Sequence, residues 1–366
     1  MSKKKRHIFQ IEIFLFILFL FIFLIFISNI NKKESEVDKA IRLGGEWFLN
    51  NQNENFLIYE YDIEKENSSG RHYLREMGGL WAVTELEDYT RDSRYNQLEM
   101  KGFEYFSKFF YEGSDGKTMI VRMTLNNDKI AYSAFIILAI SNMEIDRKRE
   151  YLEKLGNGLL FQQRKDGSLI TYFNSNSNEG IDYYPGESLF ALMVLYNETG
   201  ETKYLESVQK AFPYYANYWR NNKNAAFIPW HSRADYMLYK ETKNDEVANF
   251  VFEMNDWMID YHNPSKNCSE FHFSKGIVSA VYMEGMNKAY EIAKEKGDKK
   301  RIKCYGNFIK EGAEAIIKLQ VLPEKNLSEQ AIGGFRGSTY SNTLRVDRNQ
   351  HAVIALMEGK NAGILE

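Results

Sequence analysis

Apolar residues recur at a helical spacing along most of the chain from residue 36 onward. The period-3.6 test gives about twelve helical segments. They begin near Val37, Tyr73, Asn96, Ile130, Arg147, Pro185, Thr202, Ser232, Asp245, Gly276, Asp298 and Asn349. Five junctions between them are short and polar: "YTRDSRY", "EIDRKREY", "ETGETKY", "ETKNDEV" and "EKGDKKR". Each is followed by a helix with an apolar stripe. They recur every 43 to 55 residues, roughly, which signals a repeat architecture. The other connections are longer: "FLNNQNENFLIYEYD", "FSKFFYEGSDGKTMIVRM", "FQQRKDGSLITYF" and "KLQVLPEKNLSEQAIGGF". Three of these four run into a short alternating stretch that predicts a strand or hairpin.

The five short junctions define five helical hairpins and leave one helix at each end, near Val37 and near Asn349. If those two pair, the chain closes into an all-α (α/α)6 toroid of six hairpins, with short β-hairpins in the long loops. A linear solenoid is the alternative, but it leaves two terminal helices with uncovered apolar faces.

In the closed form, every helix that precedes a short junction begins at a long loop. Their N-termini therefore open on one mouth of the ring. Those N-termini read "HYLREMGG" with Glu76, "KIAYSAF" with Tyr132, and "DYYPGESL" with Tyr184 and Glu187. They continue with "IPWHSRADY", carrying Trp230, His231, Arg233 and Asp235, and "SAVYMEGM", carrying Tyr282 and Glu284. The last is "LRVDRNQHAV", carrying Arg345, Asp347, Gln350 and His351. The helix dipole favours an acid at a first turn, but it does not account for the Tyr, Trp, His and Arg beside the acids. Glu284 lies inside the apolar run "GIVSAVYMEGM", where a solvated charge is out of place. Arg336, after "GGF", is placed to close the mouth, whereas His72 reads as a surface or loop residue.

Charge and composition exclude several classes. The net charge is −3, and no basic stripe follows the N-terminal "KKKRH", which argues against nucleic-acid binding. Aromatics make up 15% of the chain, enough to build a core and also to stack on sugar faces. Cys268 and Cys304 are too few for a zinc cluster, and whether they pair is left open. The sequence has no phosphate-binding glycine loop, no His-Glu-x-x-His and no Gly-x-Ser-x-Gly, so no metal or cofactor is expected. Asn67, Asn197, Asn267 and Asn326 begin glycosylation sequons.

The N-terminus carries an uninterrupted apolar run from Ile13 to Ile27, with a denser positive flank before it than after it. That pattern predicts one transmembrane anchor within residues 1–30, a cytoplasmic N-terminus and an extracytoplasmic domain over residues 31–366. A cleaved signal peptide is the alternative.

Three stretches, "DYYPGESLFALMVLYNETGETKYL", "VSAVYMEGMNKAYEIAKEKGD" and "AIGGFRGSTYSNTLRVDRNQHAVIAL", resemble α/α-toroid proteins of the six-hairpin glycosidase-like type. That group includes unsaturated glucuronyl hydrolases and N-acylglucosamine 2-epimerase-like enzymes. With the repeats, the resemblance spans roughly residues 36 to 360 and is closest to branches whose substrate is not settled. It implies a carbohydrate site at the inner-helix mouth, served by acidic residues or histidines. The chain lacks the Cys-Cys-His zinc set of lanthionine-cyclase-like toroids and the acidic motif of terpene-cyclase-like ones.

On this reading the expectation is a glycoside hydrolase-like enzyme. Asp347 and Glu284 would form the catalytic pair, with His351 beside them and Glu76 in reserve. Glu187, Tyr184, Tyr282, His231, Arg233, Trp230, Tyr132, Arg345 and Arg336 would bind the glycan. A sugar epimerase using His351 and His231, a lyase, or a glycan- or peptide-binding protein without activity are the alternatives.

Overall fold

The computed structural model describes residues 34–124, 128–262, 268, 271, 273 and 276–366. Among them are twelve helices: α1 (Glu36–Asn50), α2 (Tyr73–Thr90), α3 (Arg94–Ser107), α4 (Ile130–Asn142), α5 (Lys148–Phe161), α6 (Tyr184–Thr199), α7 (Thr202–Asn221), α8 (Ile228–Thr242), α9 (Asp245–His262), α10 (Val278–Lys296), α11 (Lys299–Ile317) and α12 (Val346–Asn361). Five short strands accompany them: β1 (Glu60–Asp62), β2 (Asn67–Ser69), β3 (Phe110–Glu112), β4 (Met119–Val121) and β5 (Thr343–Arg345).

Two kinds of helix alternate, and their sequences say why. In α4, "IAYSAFIILAISN", every residue but the last is buried, so the helix has no solvent face. In α3 only Tyr95, Leu98, Glu99, Gly102 and Phe106 are buried, a single stripe at helical spacing. The more deeply buried type forms an inner ring in which α2 packs on α4, α4 on α6, α6 on α8, α8 on α10, α10 on α12 and α12 on α2. The striped type covers it from outside. Helices α6 and α12 thus face each other across the ring.

The chain ends close the toroid. Helix α1 packs on α12, and Asn349 donates 2.7 Å to the carbonyl of Gly44 and accepts 3.1 Å from the amide of Phe335. Gln320 donates 2.8 Å to the carbonyl of Ala40. Where α2 meets α12, a Cβ at Gly79 would lie 2.5 Å from Val346 Cγ2, so glycine is what lets these inner helices approach.

The long loops carry two hairpins, β1–β2 and β3–β4, and β5 adds to β1 in an antiparallel three-stranded sheet ordered β2-β1-β5. Tyr61 pairs with Leu344, so residues from opposite ends of the chain share one ladder. The third long loop makes only isolated bridges such as Gln163 to Leu169. Helices α8 and α12 begin earlier than the periodicity predicts, at Ile228 and Val346. Pro229 supplies the fixed φ of a first turn in α8, and extended Arg345 hands β5 straight into α12. A disulfide joins Cys268 to Cys304, settling a pairing the sequence leaves open.

The expected localisation is corrected. Among the described residues no helix is long and apolar enough to cross a membrane. The run Ile13 to Ile27, on which the anchored, extracytoplasmic placement rested, lies outside the described residues.

Candidate active site

The inner-helix N-termini surround a cavity of about 900 Å³ at one mouth of the ring. Its walls include His72 just before α2 and Arg75 within it, Lys129 just before α4, Tyr184 and Glu187 from α6, and Trp230 from α8. Tyr282 from α10 and Asp347, Arg348 and His351 from α12 complete them, with the 337–345 segment on one side. Below lies an aromatic floor. Phe135 packs edge-on to Trp230 at 5.4 Å, and Trp81 sits 6.0 Å from Trp230.

Glu187 stands in the first turn of α6, behind Pro185, whose ring presets the helical φ. It is 5% exposed, and its Oε2 has no hydrogen-bond partner. Burial pushes its carboxyl up to about 8, and the nearby Lys129 charge only partly opposes this. At neutral pH Glu187 is therefore mostly a protonated acid at the wall of a cavity, with a proton to give.

Across the ring, His351 is tied through Nδ1 to Glu284 Oε1 at 3.0 Å. Its side chain is 18% exposed, whereas Glu284 is fully buried. With Nδ1 held by a carboxylate, Nε2 is the ring nitrogen left for a ligand. Glu284 rests in turn on Arg233, whose Nη2 lies 3.4 Å from Glu284 Oε2. That contact is close enough for charge attraction but not aligned as a hydrogen bond, since Oε2 accepts none. Arg233 also pairs with Glu358 at 2.9 Å, and Lys288 reaches Glu358 at 3.1 Å. The guanidinium carbon lies 5.2 Å from the Trp81 ring centroid. A column of alternating charge thus runs down the ring axis beneath His351 and fixes its orientation.

Asp347 lines the same cavity in a different state. Arg345 Nε donates to it at 2.9 Å, and Arg75 Nη1 lies 3.3 Å away. Burial raises its carboxyl, but the Arg345 hydrogen bond and the charges of Arg75, Arg345 and His351 outweigh that and hold it below the usual range. It is a clamped anion with its oxygens engaged.

Of the expected pair of Asp347 and Glu284, only Asp347 lines the cavity. Glu284 lies behind His351, out of the cavity wall. Glu76 is fully buried and accepts from Arg71 Nε at 3.0 Å and Nη2 at 2.7 Å. Of the expected binding residues, Glu187, Tyr184, Tyr282, Trp230 and Arg345 line the cavity. The others do not line it. His231 is buried and stacked on Phe227 at 3.6 Å, and burial holds its imidazole down at about 3, which leaves it neutral and away from a substrate. Arg233 belongs to the charge column, Tyr132 is buried beneath the wall, and Arg336 bonds the Ser341 carbonyl. His72, expected at the surface or in a loop, ends the loop before α2 and lines the cavity. Arg75, Lys129 and Arg348 were missed. Each lies within a turn of an inner-helix start, and the same positional logic that found the acids applies to them.

The sequence matches no known family profile and no curated protein. Solved structures do match. A D-mannose isomerase superposes with a TM-score of 0.66 at 13% identity, covering 90% of this chain and 98% of the other. An unsaturated glucuronyl hydrolase specific for heparin gives 0.63 at 10% identity, covering 90% and 98%. An inactive variant of the α-1,6-mannanase GH76A of Salegentibacter sp. HEL1_6, in complex with α-1,6-mannotetrose, gives 0.64 at 11% identity, covering 90% and 99%. These are six-hairpin glycosidase-like (α/α)6 toroid proteins, and this chain has their fold. The neighbours are sugar-acting enzymes, both hydrolases and isomerases.

Proposed function

We propose that the protein is a carbohydrate-active enzyme, glycoside hydrolase-like, that works by acid–base catalysis at the mouth of the toroid. Glu187 carries this reading. A carboxyl kept protonated by burial, unpartnered and set in a cavity wall is the feature a general acid requires. Glu187 gives its proton to the oxygen of the departing sugar. His351, on the facing helix, takes a proton from the attacking water through Nε2, with Glu284 steadying the imidazolium that forms. The aromatic floor offers faces on which a sugar ring stacks. Acid and base on opposite helices suit a water-mediated displacement, so the first product is expected with inverted anomeric configuration.

One observation favours a second reading. A histidine backed by a buried carboxylate is also suited to moving a proton at carbon, as a sugar epimerase or isomerase requires. A polysaccharide and free-sugar panel in D2O separates the two. New reducing ends without carbon-bound deuterium support hydrolysis. Deuterium at carbon with no new reducing ends supports isomerisation. Binding without either outcome overturns the enzyme reading and leaves a glycan-binding protein.

A further inference from the structure

The cavity wall is cationic although the chain as a whole is acidic, with a net charge of −3. Four fixed cations line it: Arg75, Lys129, Arg345 and Arg348. The only fixed anion on the wall among the described residues is Asp347, because Glu187 is mostly neutral at pH 7. Asp347 accounts for two of the cations, Arg75 and Arg345. The other two have no carboxylate partner. Arg348 Nη1 donates 2.6 Å to the Thr343 carbonyl and 3.1 Å to its hydroxyl, both neutral acceptors. Lys129 has neither a hydrogen bond nor an ion pair through its ammonium among the described residues. It only faces the rings of Tyr184 and Tyr132, with centroids 5.3 and 5.9 Å away.

A half-enclosed ammonium that the protein does not neutralise is a recognition element for an anion. Arg348 is held to the 341–343 segment by its own bonds, which leaves Lys129 as the freer of the two. We propose that the sugar bound in this mouth carries an acidic substituent of the uronate class, whose carboxylate docks on Lys129. A carboxylate suits this point better than a planar array would demand, since an ammonium binds one oxygen at a time and needs no fork geometry. The docking also serves the chemistry. Lys129 is the charge that opposes protonation of Glu187. A substrate carboxylate neutralises it and keeps the acid loaded while the substrate is present.

This inference rests on the sugar site proposed above, so the experiment separates the two. Uronate-containing tetrasaccharides are titrated calorimetrically beside the same oligosaccharides with their carboxyls reduced to primary alcohols, at low and high salt. The expected result is that the uronides bind about tenfold more tightly and that high salt narrows the gap. Lys129→Gln removes most of the gap and leaves binding of the reduced sugars in place. Lys129 has only its contacts with the Tyr184 and Tyr132 rings to lose, and a thermal melt checks the fold of the variant. Equal or tighter binding of the reduced sugars, or an undiminished gap in Lys129→Gln, overturns the acidic-sugar inference alone. No binding of either series overturns it together with the sugar site.

Discussion

The two rims of this ring are built from the same six inner helices but obey different rules. At the rim of short turns, the residue after the helix is left-handed four times: Arg91 at φ 57°, Gly200 at 72°, Lys243 at 53° and Gly297 at 68°. In three of these turns a threonine hydroxyl donates back to the preceding turn: Thr90 to Leu86, Thr199 to Leu195 and Thr242 to Leu238. The same hydroxyl then accepts from the amide two residues on, in Asp92, Glu201 and Asn244. Polar groups at this rim find partners locally. At the mouth several do not. Buried oxygens of Glu187 and Glu284 and a buried nitrogen of His231 have no hydrogen-bond partner. One rim is arranged for stability. The other holds groups that weaken the fold, as sites that need a displaced pKa do.

The largest test of that contrast is Glu187→Gln. Removing the general acid should lower turnover by about 10³-fold. The same change should stabilise the protein, and the sign follows from the protons bound. The Glu187 carboxyl titrates near 8 in the fold against the ordinary 4.5. Between those values the folded chain holds a proton that the unfolded chain has released, so stability falls as pH rises through this window. Glutamine has no such proton. The variant's advantage should be small at pH 4.5 and reach on the order of 4 kcal/mol at pH 8, read from urea midpoints. A pH-independent difference would mean that Glu187 is ionised in the fold.

Glu284→Gln should act through His351. It removes the charge that orients the imidazole and leaves the buried Arg233 with Glu358 as its one close carboxylate. We expect kcat to fall roughly 10²-fold with KM little changed, and stability to drop by about 3 kcal/mol, as when one partner of a buried pair is lost. Stability therefore moves in the opposite direction from Glu187→Gln, although both residues are buried acids of inner helices. A KM effect larger than the kcat effect would place Glu284 in binding instead.

Asp347→Asn should be milder, about tenfold in turnover, because the carboxylate is already engaged by Arg345 and Arg75. The two freed guanidinium groups should also tighten binding of an anionic sugar, measured by calorimetry. If this variant loses turnover as completely as Glu187→Gln, Asp347 is a reacting carboxylate after all, as the sequence suggested.

The architecture was legible because repetition exposes it. Short junctions and an unpaired helix at each end imply a closed ring, and Asn349 bonding back to Gly44 shows how the ends meet. The three-stranded sheet was hidden, because β5 pairs with β1 across almost the whole length of the chain and no local pattern encodes such a pairing. The site was half legible. Sequence position identifies which residues sit near the mouth, but not how each side chain is engaged. Glu187, Glu284, Asp347 and Glu76 look alike in sequence. They separate only once Arg345, Arg71 and His351 are seen to engage three of them and leave Glu187 alone.

The smallest expected effects lie at the turn rim, where they should leave catalysis untouched. Gly200 has φ 72°, and a Cβ added there would meet no atom within 4 Å. Gly200→Ala therefore tests backbone conformation alone. It should cost about 1 kcal/mol, the penalty for a side chain in the left-handed region. Arg91 occupies the equivalent place at φ 57°, and its ion pair with Asp88 joins side chains 73% and 64% exposed, which contributes little. Arg91→Gly should relieve the same strain and raise stability by about 0.5 kcal/mol, reduced by the greater entropy of unfolded glycine. Opposite signs in the urea midpoints, with kcat/KM unchanged in both variants, would show that the short turns act only on stability. A loss of turnover in either variant would mean that strain at the turn rim reaches the mouth through the inner helices, and that the two rims are not independent.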